Sequence, residues 1–263
     1  MFMGGFKFSL QNYYMKLLTL IFAFACFLAK GQTYDAAYVK QLYAKYPTIK
    51  SELCPACRLW DNNIYRSIAD TVAHFPLCEY YCYTKAHEQA QIAAKIPRTG
   101  IYAAWHPVTG QPDMQAVYTA ANKQLKVEMA KGHVVAWITA AYSKDAAILS
   151  DTYDFNCAIE YQGQNVGTEI ATENYTRKLA LKYDTIEIWG GCFAGDKPMT
   201  VTANGITATI PSDYWKIIKY NGKYECWFLP NLPTETQAMI PKRTIALKDL
   251  ILILGFDPQQ ILN

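Results

Sequence analysis

Residues 165–177 read Asn-Val-Gly-Thr-Glu-Ile-Ala-Thr-Glu-Asn-Tyr-Thr-Arg, a helical segment with polar side chains spaced along one face. We predict a helix over about residues 166–183, with Asn165 as its N-cap, where a short amide side chain suits the free N–H groups of the first turn. Glu173 and Arg177 are four residues apart and therefore share a helical face, with Asn165 on roughly the same side. A capped helix with an ordinary Glu–Arg pair satisfies this pattern, although the amide oxygen of Asn165 is also able to hold a hard cation.

A histidine precedes this helix in an apolar, strand-like run. Lys131-Gly132-His133 opens the run, and we expect the glycine to let a ligand approach the backbone. The three other histidines stand in contexts that suggest no chemistry. Because a lone histidine is usually structural, a catalytic role for His133 depends on the partners that the fold brings to it.

From about residue 83 the chain alternates strand-like runs with helical segments, which predicts an α+β domain. Further helices are expected over residues 35–47 and 247–254, the first with Tyr38, Leu42 and Tyr46 on one face. The predicted strands, the last two joined by a tight turn at Tyr220-Asn221-Gly222-Lys223, are Gln91–Ile96, His133–Thr139, Thr152–Ala158, Thr185–Trp189, Ile206–Ile210, Tyr214–Tyr220 and Tyr224–Leu229.

Taken together, the motifs resemble those of the DNA/RNA non-specific endonuclease family, which comprises the secreted bacterial nucleases and mitochondrial endonuclease G. The stretch 118–133 is similar to the family segment that ends in Asp-Arg-Gly-His, and residues 155–160 to its Ser-Asn-x-x-Pro-Gln. Asn165-Val166-Gly167 matches Asn-x-Gly, and Glu173 and Arg177 have the spacing of Leu-Glu-x3-Arg. The resemblance covers about residues 80–255 and includes Tyr83–Ala90, Trp189–Gly191, Ile210–Lys216 and Phe228–Asn231.

The resemblance implies a ββα-metal (His-Me finger) fold of the α+β class, with a central antiparallel sheet flanked by helices. It also implies a metal-dependent endonuclease that hydrolyses phosphodiester bonds of DNA and RNA without sequence specificity. Asn165 would hold one Mg²⁺ ion, replaceable by Mn²⁺ or another divalent cation, and Glu173 would orient one of its waters. His133 would take a proton from the attacking water. The positive charges that stabilise the transition state would be those of Arg177, Lys131 and Arg98.

Two family motifs are altered in this chain. Ala130-Lys131 stands where the family has Asp-Arg, and Ile159-Glu160 where it has Pro-Gln. Lysine supplies a positive charge near phosphate but lacks the planar fork of arginine. These changes motivate a first alternative, a catalytically degenerate nuclease fold that binds nucleic acid or another polyanion without cutting it. A second alternative is a structural or interaction protein organised by the cysteine-containing segment 54–82.

The N-terminus has the features of a secretory signal peptide over residues 1–31. Lys16 precedes thirteen apolar or nearly apolar residues, and Ala29-Lys30-Gly31 suits cleavage before Gln32. The run is shorter than the ~20 residues of a membrane-spanning helix, although an uncleaved anchor or a lipoprotein acylated at Cys26 is an alternative. We therefore predict export to the periplasm or beyond the cell, with no membrane span in the mature chain. An N-terminal extension is expected over residues 32–82 and the endonuclease domain over residues 83–263.

Composition limits the remaining possibilities. With 263 residues, 51% apolar and 18% charged, the chain is neither a disordered tail nor a multi-span membrane protein. Signal cleavage would leave 22 basic and 22 acidic residues, so a nucleic-acid ligand needs a local site rather than a global positive field. A homodimer is compatible with these features.

Cysteine usage depends on the compartment. Seven of the eight cysteines follow residue 31, an odd number that leaves at least one thiol free. In an oxidising compartment disulfides are the commoner outcome, and a zinc site is the less expected one. The cysteines with the spacing of a four-thiolate zinc site are Cys54, Cys57, Cys78 and Cys82.

Overall fold

The fold is built around a seven-stranded antiparallel sheet with the strand order β1-β2-β3-β4-β7-β10-β11. The computed structural model describes residues 36–108 and 110–262. This sheet and its flanking helices confirm the predicted α+β class. The strands of the sheet are β1 (Ile49–Lys50), β2 (Cys57–Asp61), β3 (Arg66–Asp70), β4 (Phe75–Thr84), β7 (Thr185–Phe193), β10 (Asp213–Tyr220) and β11 (Lys223–Pro230).

Two hairpins and a set of helices complete the architecture. The hairpins pair β5 (Met129–His133) with β6 (Cys157–Tyr161) and β8 (Met199–Ala203) with β9 (Ile206–Ile210). A π-helical segment, Asn165–Glu169, joins α6 to α7, and 3-10 turns lie at Gly100–Tyr102 and Gln237–Lys242. The α-helices are α1 (Ala36–Ala44), α2 (Lys85–Ala94), α3 (Gln115–Leu125), α4 (Trp137–Ala140), α5 (Lys144–Ser150), α6 (Gln162–Gln164), α7 (Ile170–Tyr183), α8 (Leu247–Leu254) and α9 (Pro258–Ile261).

Two glycines let the centre of the sheet pack closely. β7 lies between β4 and β10, and a Cβ on Gly191 would come within 2.3 Å of the Leu77 carbonyl oxygen. A Cβ on Gly190 would lie 2.7 Å from Cγ1 of Val134. Because Val134 directly follows β5, this contact fixes the end of β5 against the sheet.

Two predicted strands are wrong because capping and tertiary packing decide the local structure there. The segment predicted as the strand Gln91–Ile96 lies in and after α2, which begins where the Thr84 hydroxyl accepts a hydrogen bond from the His87 N–H. The predicted strand His133–Thr139 ends at its first residue, and the chain then turns into α4. Its apolar residues are buried by the turn and the helix rather than by a sheet.

Other local predictions agree with the structure in full or in part. β7, β9, β10, β11 and α8 are found at or within a few residues of their predicted bounds, whereas the strand predicted at Thr152–Ala158 lies later, as β6. The predicted turn joins β10 to β11, with Asn221 and Gly222 at φ 46° and 72°. In α1 the buried residues are Val39, Leu42 and Tyr43, so the predicted apolar face is rotated.

The cysteines do not form a four-thiolate centre. Cys54 and Cys57 form a disulfide with Cα atoms 5.0 Å apart. Cys78 is buried and Cys82 is exposed, and both lie on β4 four residues apart, about 13 Å along a strand. Within residues 36–108 and 110–262 the free cysteines are Cys78, Cys82, Cys157, Cys192 and Cys226.

The predicted signal peptide lies outside the described residues. Across the part of the chain that is described, no helix has the length and apolar character needed to cross a membrane. The predicted boundary between extension and domain, at residues 82 and 83, falls inside β4, which pairs with both β3 and β7.

Candidate active site

A β-hairpin and the helix that follows it frame a cleft. β5 and β6 pair so that His133 lies opposite Cys157, and α6, the π-helical segment and α7 continue directly from β6. The cleft has a volume of about 340 Å³. It brings together five of the six residues predicted for the site and leaves out Lys131. Its lining residues are Arg98, His133, Trp137, Ile138, Asn165, Val166, Ile170, Glu173, Asn174 and Arg177.

His133 ends β5, and both of its ring nitrogens have partners. Nδ1 lies 2.8 Å from the backbone carbonyl oxygen of Lys131, and Nε2 lies 3.1 Å from Oδ1 of Asp151. Burial lowers the pKa of His133, and the positive charges of Arg98 and Lys131 act in the same direction, against the raising effect of Asp151. The imidazole is therefore kept neutral at physiological pH, as a general base requires.

Asp151 is a site residue that the sequence reasoning missed. Its side chain is fully buried, and its second oxygen, Oδ2, has no hydrogen-bond partner among the described residues. Burial raises the pKa of Asp151, but the contact with His133 and the nearby positive charges outweigh it, so the pKa lies below its usual value. The carboxylate is thus ionised beside the imidazole. No local pattern marks Asp151, which follows α5 at a distance of 18 residues from His133.

Lys131 contacts Asp151 rather than the cleft. Its Nζ donates a hydrogen bond to the Ala103 carbonyl oxygen at 2.7 Å and lies 3.5 Å from Oδ1 of Asp151. The ammonium also sits over the Trp105 ring, 4.1 Å from the ring centroid. These three contacts hold Lys131 beside the Asp151–His133 pair.

The glycine between Lys131 and His133 has a packing role, not the predicted role of admitting a ligand. A Cβ on Gly132 would lie 2.1 Å from the Tyr214 hydroxyl oxygen and 2.7 Å from Cβ of Glu160. The position therefore requires glycine because β10 and β6 approach β5 from that side.

The sequence predicts that Asn165 is the N-cap of the helix, but the structure does not place it there. Helical structure begins earlier, at Gln162, and Asn165 is the first residue of the π-helical segment. The distortion is centred on Gly167, at φ −94° and ψ −108°. A Cβ there would come within 2.6 Å of the Glu235 carbonyl oxygen. The side chain of Asn165 is half-buried at the cleft.

Glu173 lies on α7, and both burial and neighbouring charges act on its pKa. Burial, reinforced by the charge of Glu169, raises the pKa of Glu173 to about 7, against the opposing charges of Lys216, Arg98 and Arg177. Glu169 is itself paired with the buried Lys216. Glu173 is therefore close to half-ionised at neutral pH.

Arg177 pairs with Glu88 instead of Glu173. Its Nε and Nη2 donate to the two carboxylate oxygens of Glu88 at 3.0 and 2.8 Å, and Glu88 is buried. The Tyr83 hydroxyl donates to the same carboxylate at 2.6 Å. This clamp, contributed by β4 and α2, fixes the guanidinium at the cleft wall, and Glu88 is a second residue that the sequence reasoning missed.

Arg98 reaches the cleft from the loop after α2. The residue is exposed, and its guanidinium carbon lies 5.4 Å from the centroid of the Trp137 ring, within cation–π range. Its charge lowers the pKa of His133 and of Glu173. Arg98 thus lies on the same side as the other predicted site residues.

The cleft contains oxygen donors that fit a hard divalent cation. The amide of Asn165 and the carboxyl of Glu173 both line it, and neither makes a hydrogen bond or an ion pair within the described ranges. Amide and carboxylate oxygens are the ligands that Mg²⁺ and Ca²⁺ prefer. The residues present therefore fit a Mg²⁺ ion.

Comparison with solved structures shows the fold. A chain of the structure titled "Crystal structure of the EndoG/EndoGI complex: Mechanism of EndoG inhibition" is similar, with a TM-score of 0.61 and 16% sequence identity. The similarity covers 78% of this chain and 88% of that chain. No functionally curated protein shows significant sequence similarity to the chain.

Comparison with protein families is decisive for the classification. The sequence profile described as DNA/RNA non-specific endonuclease matches residues 56–249, well over half of the chain. The match begins within the segment predicted as an extension and ends after the last sheet strand. Fold and family together support a non-specific DNA/RNA nuclease. The chain belongs to the DNA/RNA non-specific endonuclease family.

Proposed function

We propose that the protein is a secreted, divalent-metal-dependent endonuclease that hydrolyses the phosphodiester bonds of DNA and RNA without sequence specificity. The observation that carries this proposal is the single cleft in which His133, Asn165 and Glu173 lie with two arginines. A base, cation ligands and positive charge are the groups that phosphodiester hydrolysis requires.

Asn165 and Glu173 are the residues that would hold and surround the cation. Bound there, Mg²⁺ would neutralise charge on the phosphate and on the leaving oxygen. The π-helical distortion sets Asn165 at the cleft, and α7 carries Glu173 on the adjoining face. Mn²⁺ or another divalent cation with a preference for oxygen ligands would take the same place.

His133 acts as the general base through Nε2. Donation from Nδ1–H to the Lys131 carbonyl fixes the tautomer and leaves the Nε2 lone pair to take a proton from the attacking water. Asp151, 3.1 Å from Nε2, then stabilises the imidazolium. The same Asp151 oxygen, Oδ1, also lies 3.5 Å from Nζ of Lys131.

Arg98 and Arg177 stabilise the additional negative charge of the transition state. The Glu88 clamp engages Nε and Nη2 of Arg177, so its remaining nitrogen, Nη1, is available to a phosphate oxygen. Contacts of this kind address the phosphate backbone and read no base, so cleavage is independent of sequence.

The test is incubation of the purified protein with plasmid DNA and with RNA, in Mg²⁺ or in EDTA. Degradation of both polymers in Mg²⁺ alone is expected, and His133→Ala should abolish it without loss of fold. His87→Ala is the matched control, because His87 lies outside the cleft and stacks on Tyr142 at 4.2 Å. Equal activity of His133→Ala and the unmodified protein would overturn the assignment.

A degenerate, non-cutting protein is the second candidate, and one observation favours it. Both ring nitrogens of His133 face acceptor oxygens, so one of these two contacts must break before a ring nitrogen can accept a proton from water. Binding of nucleic acid without cleavage in any divalent cation would support this candidate. Such binding would depend on Arg98 and Arg177.

Export, the 1–31 signal peptide and the domain division at residue 83 remain predictions. The Cys54–Cys57 disulfide supports export, because disulfides persist in oxidising compartments. N-terminal sequencing of the mature protein checks the signal peptide, with Gln32 expected first. Sedimentation of the purified protein checks the predicted homodimer.

A further inference from the structure

A second set of potential metal ligands includes the imidazole of His133. One ligand atom from each of His133, Asp151 and Cys157 lies within 4.8 Å of the others, and all three residues are buried. The β5–β6 register places His133 opposite Cys157, and Asp151 approaches from the segment after α5. These ligands are distinct from the Asn165 and Glu173 oxygens on the helical side of the cleft.

Two of the three groups have unused bonding capacity. Oδ2 of Asp151 is buried and has no hydrogen-bond partner among the residues described. The Cys157 thiol makes only a weak contact, 3.5 Å from its sulfur to the Ser150 carbonyl oxygen. A buried carboxylate oxygen without a partner costs free energy that a cation would recover.

The positive charges near His133, Asp151 and Cys157 do not prevent a cation from binding between them. The nearest ammonium, Lys131 Nζ, is 3.5 Å from Oδ1 of Asp151, but it is held by the Ala103 carbonyl oxygen at 2.7 Å and by the Trp105 ring. Lys131 therefore keeps its main contacts if Asp151 turns away from it. Arg98 lies on an exposed loop after α2.

We propose that His133, Asp151 and Cys157 form an inhibitory site for Zn²⁺. One nitrogen, one oxygen and one sulfur ligand make a donor set that favours zinc over magnesium. Three bonds form, to Nε2, to a carboxylate oxygen and to Sγ, and the thiol proton is released to solvent. Ligand atoms of a tetrahedral zinc ion are roughly 3.3–3.8 Å apart, so the side chains must draw together slightly. A water from the cleft, which His133 lines, completes the coordination.

The functional consequence rests on the proposed function. A zinc ion on Nε2 removes the lone pair that accepts the proton of the attacking water, so the nuclease stops even when Mg²⁺ is in excess. Binding of the ion itself depends only on the three side chains. The two parts of the inference can therefore be tested separately.

Cobalt binding tests the site without reference to activity. The purified protein, kept oxidised so that Cys54–Cys57 stays closed, is titrated with Co²⁺ and its absorption recorded. We expect one tight site with a thiolate-to-cobalt charge-transfer band, which Zn²⁺ removes by displacement. Cys157→Ala should lose the band. Cys226→Ala is the matched control and should retain the band, because Cys226 is another buried free thiol, on β11.

Zinc inhibition is then measured at saturating Mg²⁺ on the same three proteins. Loss of a partner of a metal ligand costs roughly 10–100-fold in affinity, so loss of the Cys157 ligand should raise the half-inhibitory Zn²⁺ concentration at least 10-fold. Basal activity of Cys157→Ala should be unchanged. An unchanged band and unchanged inhibition in Cys157→Ala would overturn the proposal. A Cys157-dependent band in a protein that cuts no nucleic acid would instead retain the site and overturn the nuclease assignment.

Discussion

Oδ1 of Asp151 lies 3.1 Å from Nε2 of His133, and the two side chains are buried. The chain lacks the aspartate that its family places three residues before the histidine, since Ala130 stands there. Asp151 supplies a carboxylate beside the imidazole from a different segment. Lys131, which replaces the family's arginine, contacts this carboxylate. The changes at Ala130 and Lys131 are thus accounted for by one local arrangement around Asp151.

Asp151→Asn is expected to lower kcat/KM by roughly 10–100-fold, a part of the ~10²–10⁴ that a general base contributes. The carboxylate raises the pKa of His133, so its removal lowers that pKa. Because the base must be neutral, the acidic limb of the pH profile should move to lower pH. The measurement is kcat/KM against pH on a defined DNA substrate.

Asp154→Asn is the control, because the buried Asp154 pairs with Nδ1 of the half-buried His74 at 3.0 Å, outside the cleft. This variant should lose stability while its pH profile stays in place. If Asp151→Asn also left the profile in place, Asp151 would have only a structural role.

The sequence identifies the parts of the site that share one helix or one short motif. Glu173 and Arg177 lie on one regular helix, so their spacing alone brings them to one side. Asn165 precedes the kink at Gly167, so its place at the cleft does not follow from helical spacing. The pattern predicts that His133 opens a strand, whereas the structure places it at the end of β5.

Asp151 and Glu88 could not be found in this way, because each acts across a long sequence separation. Glu88 lies 89 residues from Arg177 and reaches it only because α2 packs beside α7. The same limit affected the backbone: Gln91–Ile96 has no strong period, and the helix is decided by the Thr84 cap and tertiary packing. The distortion at Gly167 is likewise set by the Glu235 carbonyl, which is distant in sequence.

Arg177→Lys should lower activity by on the order of 10-fold, because lysine cannot make the two parallel hydrogen bonds that Arg177 makes to Glu88. The ammonium is then free to leave the cleft wall. Steady-state cleavage and thermal unfolding are both measured. Arg66→Lys is the control, since Arg66 pairs with Asp61 at 3.2 Å and neither residue lines the cleft. Equal loss of activity in both variants would contradict a specific role for Arg177.

Glu173→Gln should inactivate the enzyme by on the order of 10²-fold and stabilise it above neutral pH. Folding raises the pKa of Glu173 from 4.5 to about 7, so the ionised carboxylate disfavours the folded state. This penalty is absent below pH 4.5 and complete above about pH 7. We expect a gain of about 1–2 kcal/mol at high pH, allowing for partial exposure. Denaturant unfolding of the variant and the unmodified protein at acidic and alkaline pH measures this gain in stability. An equal gain at both pH values would contradict the prediction.

Lys131→Met separates two roles for the lysine that replaces the family's arginine. The positive charge of Lys131 lowers the pKa of His133, so its removal should raise that pKa and move the acidic limb of kcat/KM to higher pH, opposite to Asp151→Asn. If Lys131 contacted phosphate, its removal would instead raise KM at every pH and leave the acidic limb in place. The contacts of Nζ with the Ala103 carbonyl and the Trp105 ring favour the first outcome. Lys131→Arg, which keeps the charge, should keep the limb where it is, and a shift there would mean that geometry rather than charge sets the pKa of His133.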